Sequence, residues 1–121
     1  MHRLILVLAM LASAASAQGL RDGETVLSAA DMVDTLKGHT HEFHDGGRSF
    51  FSITESYSYT YPDGGIAYGR YEIRDGGVVC TFFNHGFERC DTYVRNGNRL
   101  ILINQDGLRF PVKSVSGDDT I

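Results

Sequence analysis

The run His39-Thr40-His41-Glu42-Phe43-His44-Asp45 sets three imidazoles and two carboxylates close together. On an extended strand His39 and His41 share one face with Phe43, while His44 shares the other with Glu42. Imidazoles at i and i+2 can chelate Zn²⁺ or Cu²⁺, with His85 or an acid completing the set. The same run also fits a solvated edge strand whose histidines respond to pH. No diagnostic metal spacing is matched. The first expectation is therefore no cofactor, with a zinc or copper site at His39, His41 and His44 as the alternative. A second group is the row Tyr57, Tyr59 and Tyr61, which alternates with Ser56, Ser58 and Thr60. Rings on one face of a strand make a partly polar platform for a sugar or aromatic ligand, or an anchor for a protein. Tyr68 and Tyr71 extend this ligand-binding set. In a chain with no tryptophan the same rings also suit the core.

Arg70, Arg74, Arg89, Arg95, Arg99 and Arg109 are interleaved with Glu72, Glu88 and Asp91. That pattern reads as cross-strand ion pairs on a charged surface, worth a few tenths of a kcal/mol each and protective against edge-to-edge aggregation. Catalysis finds no constellation. No serine sits in a nucleophile elbow, and Asp63, Asp75 and Asp106 occupy turn positions where aspartate is the usual choice. Glu88 and Asp91 flank Cys90, but strand alternation sends them to opposite faces. The glycine pairs do not lead into a helix, so they form no phosphate cradle. A non-enzymatic protein is expected.

Met1-His2-Arg3, the apolar run Leu4 to Leu11 and the small residues Ala15-Ser16-Ala17 read as an export signal over residues 1–17, with cleavage before Gln18. The apolar run is too short to span a bilayer, so no transmembrane segment is expected. Cleavage leaves roughly 100 residues, enough for one domain. The full chain carries a formal charge of −4, and losing Arg3 makes the mature part more acidic, which argues against a nucleic-acid partner. In the periplasm or outside the cell, Cys80 and Cys90 are expected to form a disulfide. If the intervening segment is a hairpin centred on His85, the two cysteines stand directly opposite one another.

Residues 18–26 show no period and read as a loose leader. Ser28 and Asp31 form a variant capping box for a short helix with Met32, Val33 and Leu36 on one stripe, closed by Gly38. From His39 the chain becomes short runs separated by glycine turns, with strands over 39–44, 48–54, 56–61, 66–74, 78–83, 89–95, 99–104 and 108–113. In the fourth run Ala67, Gly69, Tyr71 and Ile73 fit an inward face, with Tyr68, Arg70, Glu72 and Arg74 outward. The turn at Asp75 to Gly77 leaves register open, because two-residue and three-residue turns send opposite faces inward. Leu100-Ile101-Leu102-Ile103 alternates with nothing and should be covered on both sides. The expected architecture is mainly β: an antiparallel meander, barrel or half-barrel, lipocalin-like in outline. It has one short N-terminal helix plugging an end or covering an edge, and one disulfide. The domain spans 27–113, and 114–121 form a polar tail.

The segment Gly69-Arg70-Tyr71-Glu72-Ile73, the turn Asp75-Gly76-Gly77, Cys80 and then Cys90 resemble a family of small secreted proteobacterial proteins grouped as a domain of unknown function. Their pattern is a glycine, an aromatic two positions on, an aliphatic two further, a turn and two cysteines about ten residues apart. The resemblance implies a β framework with a disulfide and structural roles for the motif residues, and it implies no activity. The function expected is binding of a small ligand or an envelope protein partner, with periplasmic metal binding as the alternative.

Overall fold

A computed structural model describes residues 19–117. The export signal expected at 1–17 and the last four residues lie outside the described range. Within it run β1 (Thr25–Val26), α1 (Ala29–Leu36), β2 (His39–Phe43), β3 (Arg48–Phe51), β4 (Ser56–Thr60), β5 (Ile66–Arg74), β6 (Val78–Phe83), β7 (Glu88–Asn96), β8 (Arg99–Ile103) and β9 (Arg109–Gly117). Strands β2 to β9 form successive antiparallel hairpins, and β9 then pairs with β2, closing an eight-stranded barrel. Closure removes the exposed edges that an open meander would present.

The turn at Asp75 to Gly77 has three residues, because Arg74 pairs with Val78. Gly76 and Gly77 both take positive φ there, a conformation that side chains resist. This register turns Ala67, Gly69, Tyr71 and Ile73 inward as expected. Gly69 is glycine because a Cβ would collide with the carbonyl of Phe82 on the neighbouring strand. Tyr71 is almost wholly buried, and Cys80 pairs with Cys90 across β6 and β7 in the expected disulfide. The disulfide lies on the outer face, since Val79 and Thr81 flank Cys80 and point into the barrel.

Turns alternate between two ends, and α1 plugs one of them. Ser28 caps the helix by accepting a hydrogen bond from the Asp31 amide at 3.1 Å, and Met32 and Leu36 are fully buried in the core with Tyr71, Val79 and Tyr93. A helix this short is not stable alone in water; its apolar side chains and one polar tie hold it in place. That tie is His41, which points inward beneath the helix with no solvent exposure. Its Nε2 lies 2.8 Å from the carbonyl of Thr35 and its Nδ1 lies 2.8 Å from the Tyr93 hydroxyl. A carbonyl only accepts, so Nε2 carries the proton and Nδ1 accepts from Tyr93.

The chain departs from the sequence reading at both termini. β6 begins at Val78, opposite Thr92, and leaves the rest of β7 unpaired on that side. Thr25 and Val26 fill the vacancy by pairing with Arg95 and Val94. The leader is therefore tied down: Leu20 and Val26 cover Val94, Ile101 and Ile103 on the outer face, and Glu24 binds the guanidinium of Arg109. This is why β8 is apolar on both faces, with Leu100 and Leu102 in the core. At the other terminus β9 continues to Gly117, and residues 114–117 pair with β2. They complete the closure, so this part of the expected tail is strand.

Burial pulls the pKa of His41 down from 6.5 to about 4. The unfolded chain therefore takes up a proton first as pH falls, and the stability contributed by neutral His41 is complete above pH 6.5 and drains away towards pH 4. The expected loss over that window is about 3 kcal/mol, read from urea denaturation at a series of pH values. His41→Phe should destabilise the protein at neutral pH by about 2 kcal/mol and flatten this part of the profile. Replacing both cysteines by serine should cost about 2–3 kcal/mol in the same assay, the value for closing so short a loop.

Candidate functional site

The end opposite α1 is bounded by the turns at 44–47, 61–65, 84–87 and 104–108 and has no plug among the described residues. Inside it lies a cavity of ≈ 140 Å³ lined by Phe43, Asp45, Tyr59, Arg89, Asp91, Leu102, Asn104 and Phe110. Strand alternation places most of these: Phe43, Tyr59, Arg89, Asp91, Leu102 and its partner Phe110 each occupy the inward face of their strand near the mouth. The turns supply the rest. Asp45 accepts the Gly47 amide at 2.7 Å, and Asn104 accepts the Asp106 and Leu108 amides at 3.0 and 2.9 Å. Gly47 has no side chain because a Cβ would strike the Tyr59 hydroxyl.

Arg89 and Asp91 form an ion pair inside the barrel. Nε of Arg89 is 3.0 Å from Oδ2 of Asp91, whose side chain is only 3% exposed. Nη2 of Arg89 donates to the Tyr57 hydroxyl at 3.2 Å, and that hydroxyl is also hydrogen-bonded to Oγ of Ser49 at 2.8 Å. The guanidinium carbon stands 5.7 Å from the centre of the Tyr59 ring and 5.8 Å from that of Phe83, within cation–π range. Two buried atoms remain without a hydrogen-bond partner among the described residues. They are Nε of Arg89, which is near Asp91 but misaligned, and Oδ1 of Asp91. Burial pushes the Asp91 carboxyl above the usual carboxylate range, against the pull of Arg89. Burial likewise pushes the Tyr57 hydroxyl up to about 12, so it stays protonated.

Of the five tyrosines in the sequence-based set, only Tyr59 lines this cavity. Tyr57 lies below it in the core, and Tyr61 stands at the rim, 47% exposed and edge-on to Tyr59. Tyr68 is on the outer surface, and Tyr71 is at the plugged end, where its hydroxyl donates to the Ser52 carbonyl at 2.6 Å. The histidines are not brought together. His39 is half-buried near the plugged end, both ring nitrogens of His41 are engaged, and His44 is exposed in a turn at the mouth. Among the described residues no three His, Cys, Asp or Glu side chains are grouped as a metal ion would require. The charged residues pair differently from expectation. Arg70 and Arg74 both reach Glu72 on their own strand, and Arg109 reaches Glu24 of the leader. Arg89 and Asp91, read as surface charges, are interior.

A larger groove of ≈ 770 Å³ runs outside the barrel between α1 and β5. Its charges are matched to one another, Lys37 to Glu55 and Arg70 to Glu72, and it offers no unpartnered buried group. The mouth is therefore the better candidate site. Comparisons with protein families, with curated proteins and with solved structures find no match.

Removing one member of a buried ion pair strands the other. Asp91→Leu should therefore destabilise the protein by about 3–5 kcal/mol, whereas the double variant R89M/D91L should return close to the original stability. Equilibrium denaturation of the two variants distinguishes a pair kept for stability from one kept for another purpose.

Proposed function

We propose that this chain is an exported, non-enzymatic protein that holds a small ligand in the open mouth of its barrel. The observation that carries the reading is Asp91, a residue of the cavity lining whose Oδ1 is buried with no hydrogen-bond partner among the described residues. An unmatched buried carboxylate oxygen costs about 1–3 kcal/mol or more, and a ligand that donates to it removes that cost. Phe43, Leu102 and Phe110 supply apolar contact around this polar point, the usual composition of a binding pocket. A cavity of ≈ 140 Å³ is close to the roughly 150 Å³ that accommodates one benzene ring. The core below it is filled by Tyr57, Phe51 and Tyr71, so the ligand, or the part of it that enters, is small. Export is supported by the signal-like first residues and by the disulfide.

A protein partner in the envelope is a second reading, favoured by the rim. Tyr61, Phe87 and Leu108, on three of the four mouth turns, are all about half exposed. Such apolar side chains around one opening suit a contact surface.

A fragment screen followed by amide chemical shifts of the oxidised protein tests the ligand reading. Hits should perturb Asp45, Leu102, Asn104 and Phe110 together, and Tyr59→Ala should weaken them by about tenfold or more. Shifts confined to the outer groove, or no hits, would count against it.

A further inference from the structure

We infer that the ligand of the mouth cavity is a small organic cation, an ammonium group carried on a ring or short apolar chain. This deepens the ligand-binding reading and rests on it. The argument begins with Asp91. A carboxylate oxygen only accepts hydrogen bonds, so whatever complements Oδ1 must donate. Arg89 does not meet that need in this structure: its Nε faces Oδ2, its Nη2 donates to Tyr57, and Oδ1 has no hydrogen-bond partner among the described residues.

Charge selects among donors. Asp45 and Asp91 line the cavity with Arg89 as its one basic group, which leaves an excess of negative charge. A carboxylate or phosphate approaching Arg89 would meet both acids in a space with little water to screen them. A cation gains from the same arrangement, and a charge-assisted bond to Asp91 is about twice as strong as a neutral one. Phe43, Tyr59 and Phe110 add ring surface, which attracts a desolvated cation through its quadrupole. Size sets the rest, since ≈ 140 Å³ holds one ring and its head group but no extended molecule.

Benzylamine, benzyl alcohol and benzoate share one ring and differ in charge, so their titration into the oxidised protein at neutral pH by calorimetry and NMR isolates the charge term. Benzylamine should bind about tenfold more tightly than benzyl alcohol, with benzoate the weakest. Asp91→Asn should erase that preference. Because this variant takes the counter-charge from Arg89 and can unfold the barrel, Asp45→Asn provides the second measurement. Asparagine keeps the turn-capping oxygen, so D45N should weaken benzylamine about threefold and leave benzyl alcohol unchanged. An unaltered benzylamine affinity in D45N would overturn the charge argument. Benzyl alcohol or benzoate binding at the mouth as tightly as benzylamine would overturn the cationic class while leaving the cavity as a binding site. Failure of all three up to about 1 mM would overturn both.

Discussion

Cys80 and Cys90 stand directly opposite one another on the outer face of the β6–β7 hairpin, and in a closed antiparallel barrel that one register determines the facing of every other strand. Side chains alternate strictly along a strand. With the cysteines outside, Thr81 and Val79 must point inward on β6, and Arg89, Asp91 and Tyr93 must do so on β7. Pairing carries the same constraint to β5, where Glu72 lies beside Cys80 and faces water while Tyr71 and Ile73 enter the core. A slip of one residue would expose Tyr71 and Tyr93 and bury Glu72 and Arg74, a rearrangement no small core could absorb. The covalent link therefore does more than shorten the unfolded chain's range of conformations. It fixes which polar side chains are forced inside.

Two polar clusters lie inside, one at each end, and the barrel treats them differently. At the plugged end His41 is neutral and satisfied on both nitrogens, so its burial serves to fasten α1 to β2 and β7 through Thr35 and Tyr93. At the open end Arg89 and Asp91 form an ion pair that is incompletely matched, with one nitrogen and one oxygen lacking hydrogen bonds among the described residues. Buried networks stabilise a fold when every member is satisfied and are worse than an apolar core when they are not. By that criterion the His41 network belongs to the architecture. The Arg89–Asp91 pair does not earn its place by stability.

Much of this was legible in the residues. Glycine turns marked six of the seven connections between the barrel strands, because hairpins with this twist need positive φ and few residues other than glycine accept it; in the seventh, between β3 and β4, Glu55 takes that conformation. Ser28 and Gly38 bracketed the helix for equally local reasons. What escaped was non-local. The two-residue strand Thr25–Val26 has no period to show; it exists because β6 leaves part of β7 unpaired. Ser114 to Gly117 looks like a polar tail because all four residues are exposed, and only the closing partner β2 makes it a strand. The site was hidden differently. Arginine and aspartate two apart on a strand look like surface charges, and the histidine and tyrosine rows attract attention by composition alone. Yet the signal was present. Glu72 opposite Cys80, and Cys80 opposite Cys90, already turn Arg89 and Asp91 inward once the three-residue turn at Asp75 to Gly77 is adopted.

The division of the interior into a plugged, satisfied half and an open, unsatisfied half also bears on why the barrel is so full. Eight strands enclose a space that side chains can just fill, and here Phe51, Tyr57, Tyr71 and Tyr93 fill most of it, with Phe51 and Tyr93 edge-on to His41 and Phe51 in turn against Tyr57 and Tyr71. A large hydrophobic ligand would require those rings to be smaller. Their bulk instead supports Tyr57 from below, and Tyr57 accepts from Arg89, which pairs with one oxygen of Asp91 and leaves the other without a hydrogen-bond partner among the described residues. The rigid aromatic floor is thus the positioning element for the charged pair, and the unmatched oxygen persists because the residues that could relieve it are locked in the core. A group held short of its partners by packing is poised for something from outside.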